Sequence, residues 1–241
     1  MKLSSTGCKE AEEIGEFMSD YSRYALYFLP EPGPLADFGA KWLGWDAQAA
    51  QVCKPYALPD WDDITMTPRK YGFHATLKPP FRLTPGQGAK ALAAAVADLA
   101  AHTAPAQADG LALTRLGSFL ALTPLGDASE IGRVASACVT GLDRFRAPPT
   151  EAELERRRKS RLSPAQEAHL TRWGYPYVHD QFRFHMTLSG RLPADRLAAV
   201  ETHLNAHLPP LPRPFRLDSV CLLGERADTR FELIHRYTLS G

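Results

Sequence analysis

The sequence predicts an α+β fold with two pseudo-twofold-related lobes, each an antiparallel sheet with flanking helices, and a cleft between them. Two observations predict it. The stretch Phe73-His74-Ala75-Thr76-Leu77 returns as Phe184-His185-Met186-Thr187-Leu188. Around these copies the order of elements also repeats: strand, helix, motif strand, helix, strand, then the same again with one additional strand. The repeat is one of element order and not of a short solenoid period. It gives a single bilobal domain over 20–241, with a first repeat at about 20–116 and a second at about 117–241.

The first strand is the β-prone run Tyr24–Leu29, closed by Pro30-Glu31-Pro32-Gly33-Pro34, where missing amides stop a ladder. Leu35, Phe38, Trp42 and Leu43 recur at helical spacing and Gly44 supplies a stop. Tyr56–Lys70, rich in proline and aspartate, reads as a loop leading to the first motif strand. Ala89–Ala101 is an alanine-rich helix with Leu92, Val96 and Leu99 as its buried stripe. Leu111–Leu116 and Phe119–Leu122 read as strands around Gly117, the second closing on Pro124, and a helix follows over about Ala128–Leu142. Ser163-Pro164 opens a helix that runs to Trp173 and ends near Gly174. After the second motif, Pro193 opens a helix through His207, and strands Leu217–Leu223 and Phe231–Leu239 finish the chain. Residues 1–19 read as a short helix or leader. Met18 offers an alternative translation start that an intact mass would settle.

Composition bounds the reading without deciding it. With 241 residues, 44% hydrophobic and 23% charged, the chain is an ordinary globular protein, and a net charge of +1 argues against a surface built wholly for nucleic acid. Cys8, Cys53, Cys138 and Cys221 are far apart and show no C-x-x-C pair, which fits a reducing compartment. No apolar run approaches the ~20 residues that span a bilayer. A cytoplasmic monomer with no membrane partner is expected.

Period-two alternation puts His74, Thr76 and Lys78 on one strand face and Phe73, Ala75 and Leu77 on the other. In the second copy it puts Arg183, His185, Thr187 and Ser189 opposite an apolar row of Phe182, Phe184, Met186 and Leu188. A third His-x-Thr, at His169 and Thr171, falls in a helix, where residues two apart point in different directions. It is set aside. The paired set suits phosphodiester cleavage, which needs a base for the attacking water and an acid for the leaving oxygen. Histidine, with a pKa of about 6.5, can serve as either near neutrality. Thr76 and Thr187 can donate to non-bridging phosphate oxygens, and Lys78 or Arg183 can offset developing charge. Tyr177, in the segment leading to the second copy, joins Lys78 and Arg183 as a substrate contact. No H-E-x-x-H, Walker loop, G-x-G-x-x-G or G-x-S-x-G occurs, so neither a metal nor a cofactor is expected.

With these residues in place, the chain resembles the two-histidine (2H) phosphoesterase superfamily, whose members carry two H-x-T/S motifs on facing strands of a duplicated α+β fold. Arg23–Phe28, Tyr71–Phe81 and Trp173–Leu188 are most similar to an uncharacterised branch associated with bacterial phosphonate-utilisation operons. The resemblance implies metal-independent hydrolysis of a cyclic phosphate diester, with His74, Thr76, His185 and Thr187 at the matching positions. The expected substrate is a small ribose or nucleotide cyclic phosphate. RNA, contacted by the basic cluster Arg156–Arg161, is the less favoured partner, since a charge-dense run is more often a solvated helix face. The rival from another class is a non-catalytic protein that binds a phosphorylated metabolite.

Overall fold

In the computed structural model, which describes residues 21–241, the run Tyr24–Phe28 forms β1 with all five side chains buried. Both faces of the sheet around it are covered. Leu26 and Phe28 point into the main core, while Ala25 and Tyr27 meet a smaller cluster with Trp45, Leu223 and Phe231. The expectations for residues 1–19 and for Met18 lie outside the described residues.

After β1 the chain forms α1 (Pro34–Leu43), the short strands β2 (Trp45–Asp46) and β3 (Gln51–Val52), α2 (Trp61–Arg69), β4 (Ala75–Phe81) and α3 (Ala89–Ala101). It continues as β5 (Ala106–Ala108), β6 (Gly110–Leu116), β7 (Phe119–Leu125), α4 (Ser129–Gly141), α5 (Glu151–Arg158) and α6 (Pro164–Trp173). β8 (Met186–Thr187), α7 (Ala194–His207), β9 (Phe215–Leu217), β10 (Ser219–Glu225) and β11 (Phe231–Thr238) complete it. The class is the α+β fold expected. The strands β11-β10-β1-β4 and β8-β7-β6 form two antiparallel groups that join at β4 and β8 into one seven-stranded sheet. Sheet membership crosses the midpoint of the chain: β10 pairs with β1 and carries β11 on its other edge, while β6 pairs with β7. Helices α3 and α4 cover the β10–β11 and β4 regions, and α7 packs on β7. Among the described residues no helix is long and apolar enough to cross a membrane.

Local chemistry sets most element ends. Gly44 and Gly174 adopt left-handed φ values of 72° and 73°, which a side chain would strain, and they end α1 and α6. Ser163 caps α6 in a capping box with Gln166, and Pro164 occupies the first turn. Two expectations are corrected. The loop over Tyr56–Lys70 contains α2: Asp62 and Asp63 sit in its first turn, where the helix dipole favours acid, and Pro68 comes only in its last turn. Arg69 then folds back over the Trp61 ring at 3.8 Å and bonds Asp62 and Thr65. Strand β7 also runs through Pro124 to Leu125, because Pro124 pairs with Leu111 near the end of the outermost strand pair.

The two motif segments bury the rows that alternation assigns inward, except Phe182, which is only partly buried. Phe73, Ala75 and Leu77, and Phe184, Met186 and Leu188, all belong to the main core. Phe73 fits against α1 only because residue 39 is glycine: a Cβ there would lie 2.0 Å from the Phe73 ring. Gly39→Ala adds about 1 kcal/mol of helix propensity but overpacks the core at a cost of about 1–3 kcal/mol. The urea midpoint of Gly39→Ala is expected to fall; a midpoint unchanged or raised would contradict the packing.

Candidate active site

β4 and β8 touch at one pair, Ala75 with Met186. In an antiparallel register the sum of paired numbers is constant, so this pair sets His74 opposite Thr187 and Thr76 opposite His185. The two motifs are thus related by a local twofold axis through the Ala75–Met186 pair. The two histidines become diagonal neighbours, a geometry with a separation of about 7–8 Å. β8 is held in this register from three sides. It pairs with β7 through Ala121 and Leu122, Trp42 of α1 donates its indole N–H to the Leu188 carbonyl at 2.6 Å, and Gly190 N–H donates to the Ile64 carbonyl of α2 at 2.7 Å. Ser189, expected on the histidine face, is buried and bonded to Leu120 N–H and the Gly190 carbonyl.

Both imidazoles are oriented in the same way. His74 Nδ1–H donates to the Gly72 carbonyl at 2.9 Å and His185 Nδ1–H to the Arg183 carbonyl at 2.8 Å, each bond reaching back two residues. That leaves Nε2 on both rings free of the backbone. In the neutral ring His74 Nε2 accepts from the Thr76 hydroxyl at 3.1 Å. The surroundings differ. Tyr27 stacks on His74 with centroids 3.9 Å apart, and Tyr71 lies at 5.8 Å. Burial lowers the His74 pKa from 6.5 to about 4, against the raising effect of the Gly72 hydrogen bond, and the nearby His185 lowers it further. His185 is partly exposed, with Phe119 edge-on at 5.9 Å. His74, Thr76 and Thr187 face a cavity of about 210 Å³. Tyr27, Tyr71, Tyr175 and Arg157 wall it, together with Thr67 and Pro68 of α2.

The remaining site residues named from sequence lie elsewhere. Lys78 leaves the histidine face because β4 bulges: Thr76 pairs with Tyr27 and Lys78 with Leu26, so Leu77 and Lys78 together oppose one residue. Lys78 is 2% exposed, and its Nζ donates to the Val139 carbonyl in the last turn of α4 at 3.0 Å, 3.9 Å from Asp143. Burial lowers its pKa to about 8, opposed by Asp143. Arg183 is exposed and borders a separate groove between β7 and α4; what it gives His185 is its carbonyl. Tyr177 is 40% exposed and packs edge-on against Tyr175, which is the tyrosine that reaches the cavity. His169 bonds Asp180 on the surface. Among the described residues no three His, Cys, Asp or Glu side chains gather as a metal ion would need.

The sequence reading missed Tyr27, Tyr71 and Tyr175, and it named Arg157 only within the basic cluster Arg156–Arg161, as a contact for RNA. Tyr27 was within reach: alternation along β1 sets it with Ala25 and Leu29, apart from Leu26 and Phe28, and so on the face that receives His74.

A two-lobed α+β fold closed at its centre by two His-x-Thr strands is the architecture that the two-histidine resemblance calls for. More narrowly, the chain belongs to the family described as "Protein of unknown function (DUF1045)", which matches residues 76–232. Two curated relatives carry the name "Ribose 1,5-bisphosphate phosphokinase PhnN". The one from Janthinobacterium sp. (strain Marseille) is 41% identical over 177 residues, 71% of this chain. The one from Laribacter hongkongensis (strain HLHK9) is 36% identical over 178 residues, 70% of this chain. The matches span 39% and 40% of those relatives' lengths. Among solved structures, TT0787 of Thermus thermophilus is 15% identical with a TM-score of 0.44, covering 91% of this chain and 98% of its own. E. coli LigT complexed with NADP+ is 13% identical with a TM-score of 0.43, covering 92% and 100%.

The depressed His74 pKa has a signed consequence for stability. The unfolded chain takes up the proton first, so the contribution of neutral His74 is complete above about pH 6.5 and is lost as pH falls toward about 4. The His74 ring resonances of the folded protein are expected to titrate near pH 4. The urea midpoint of His74→Phe should also fall less between pH 6.5 and 4.5 than that of wild type. A ring midpoint at or above 6.5 would show that the histidine is not desolvated.

Proposed function

We propose that the chain is a phosphoesterase that opens a small cyclic phosphate diester by acid–base catalysis between His74 and His185. The observation that carries this reading is the Ala75–Met186 register, which sets each histidine across from the other motif's threonine. A phosphate in the cleft would meet one imidazole and one hydroxyl from each side.

His74 takes the base role, because burial keeps its ring neutral well below pH 7. Its Nε2 accepts a proton from the attacking water as the oxygen bonds to phosphorus. The P–O bond to the sugar oxygen breaks, and His185 in its protonated form gives its Nε2 proton to that leaving oxygen. Thr76 and Thr187 donate to the non-bridging oxygens, where charge builds up. The product is a phosphate monoester bearing a free hydroxyl, and the two rings exchange protons with water to reset. No step calls on a metal.

The size of the cavity, about 210 Å³, favours a sugar phosphate over a polymer as occupant. The name of the curated relatives points the same way, since it refers to a ribose phosphate. Well over half of each relative lies outside the match, and this chain has no Walker loop. We therefore assign the phosphokinase activity in that name to the unmatched part, and to this family the hydrolysis of a ribose cyclic phosphate, of the kind phosphonate breakdown would supply.

The test is hydrolysis of a panel of cyclic phosphates in EDTA by wild type, His74→Ala and His185→Ala. Each substitution is expected to lower kcat/KM by about 10²–10⁴-fold, with wild-type activity unaffected by the chelator. Equal activity in all three would sink the two-histidine mechanism, and saturable binding without turnover would make the chain a binding protein instead.

A further inference from the structure

Beside the histidine cavity lies a second, smaller recess of about 50 Å³, and the two share Pro79, Pro80, Arg157 and Tyr175 as walls. At about a quarter of the volume of the histidine cavity, the recess suits a compact group such as one tetrahedral oxyanion. Five arginines stand among its walls, with one carboxylate, Glu153. Arg23 comes from the segment before β1, Arg82 from the end of β4, Arg146 from the turn after α4, and Arg156 with Arg157 from α5.

The charge balance in this recess is uneven. Arg23 is matched by Glu225, its Nε donating at 2.6 Å, and Arg82 is matched by Glu153 through two bonds of 2.9 Å. Arg146 holds Asp143 at 2.8 Å, but the same carboxylate also serves Arg172 at 3.3 Å and Lys78 at 3.9 Å. Among the described residues Arg156 and Arg157 have no carboxylate partner, and Arg157 lies over the Tyr175 ring at 4.6 Å, the side chain that divides the two cavities. Five guanidinium groups converge with three carboxylates between them, one of these shared with two further cations. A solvated helix face needs no such convergence, whereas a dianion entering here would offset the excess and find planar donors suited to its oxygens.

The recess is also shaped by residues with little freedom. Glu153 is fixed twice, by Arg82 and by the capping box with Thr150 that starts α5. Gly174 lets the Arg146 guanidinium approach: a Cβ there would sit 2.8 Å from its Nη1. Pro79 and Pro80 give β4 its second register shift, between the Leu26–Lys78 and Tyr24–Phe81 pairs, and carry no N–H.

We propose that this recess is a second anion subsite of the same cleft, and that it takes a phosphate monoester carried by the cyclic-phosphate substrate. The substrate class narrows to sugars or nucleosides that bear a cyclic phosphate and a second, dianionic phosphate. Arg156 and Arg157 bind the second phosphate, while Arg82 and Arg146 are positioned by their carboxylates to complete its shell. The inference rests on the phosphoesterase reading for the identity of the first group, and on the arginine geometry alone for the second.

Adenosine 2',3'-cyclic phosphate with and without a 5'-phosphate separates the two. Kd is measured by calorimetry in the His74→Ala background, where turnover is suppressed, and kcat/KM on the otherwise wild-type chain. The 5'-phosphate is expected to tighten Kd by at least about tenfold. Arg156→Ala and Arg157→Ala should each reduce that gain to about threefold or less, whereas Arg161→Ala, outside the recess, should keep it. A gain near unity in the parent, or one that survives both arginine substitutions, overturns the subsite. If both compounds are turned over with no preference, the phosphoesterase reading stands and the subsite falls. If neither is turned over while the arginine-dependent gain in Kd persists, the subsite stands and the phosphoesterase reading falls.

Discussion

A single backbone pairing, Ala75 with Met186, holds the two antiparallel groups of strands together and sets the relation between the two motifs. Because side chains alternate along a strand, this pair sends Ala75 and Met186 into the core and His74, Thr76 and Thr187 toward the cavity, with His185 beside it and not among its walls. Slipping one motif strand by one residue against the other would turn its histidine into the core and its inward apolar row out. The core forbids that slip, since Phe73, Leu77, Phe184 and Leu188 are all buried on the inward side. Trp42 and α2 then tie the far end of the second motif to the first half of the chain, so that neither motif is placed by its own half alone.

The local symmetry of the motifs is not matched by their environments. Tyr27 and Tyr71 close over His74, whereas His185 keeps a partly exposed edge beside Phe119. Burial beneath these rings lowers the pKa of His74 to about 4. The asymmetry comes from β1, which contributes Tyr27 beneath the first motif. Lys78, which sequence alternation sets beside His74, is instead turned inward by the bulge to bond a carbonyl at the end of α4, a role tied to packing. Positive charge reaches the cleft by another route, through α5, a helix with no buried residue. The basic cluster read as a solvated face is solvated along most of its length and supplies the cleft from one edge.

Local signals made much of this legible in the sequence. Both apolar rows, the caps at Gly44, Ser163 and Gly174, and the bounds of α3 rest on neighbours within a few residues. What stayed hidden depends on distant partners. The bulge at Leu77 and Lys78 exists only against β1, and the pairing of β4 with β8 joins residues far apart in the chain. Arg157 reaches the cavity through its stacking on Tyr175. Helix α2 failed for another reason: its aspartates and Pro68 suggest a loop by composition, but their positions within the helix are favourable or harmless.

The central claim is that His74, Thr76, His185 and Thr187 form one site around one phosphate. The most direct measurement is a crystal structure with a phosphate or vanadate ion bound at the cleft. The account predicts an anion between the two imidazoles, with its oxygens within hydrogen-bonding distance of both Nε2 atoms and of both threonine hydroxyls. An anion held by only one motif, or one bound elsewhere with the cleft left to water, would contradict it.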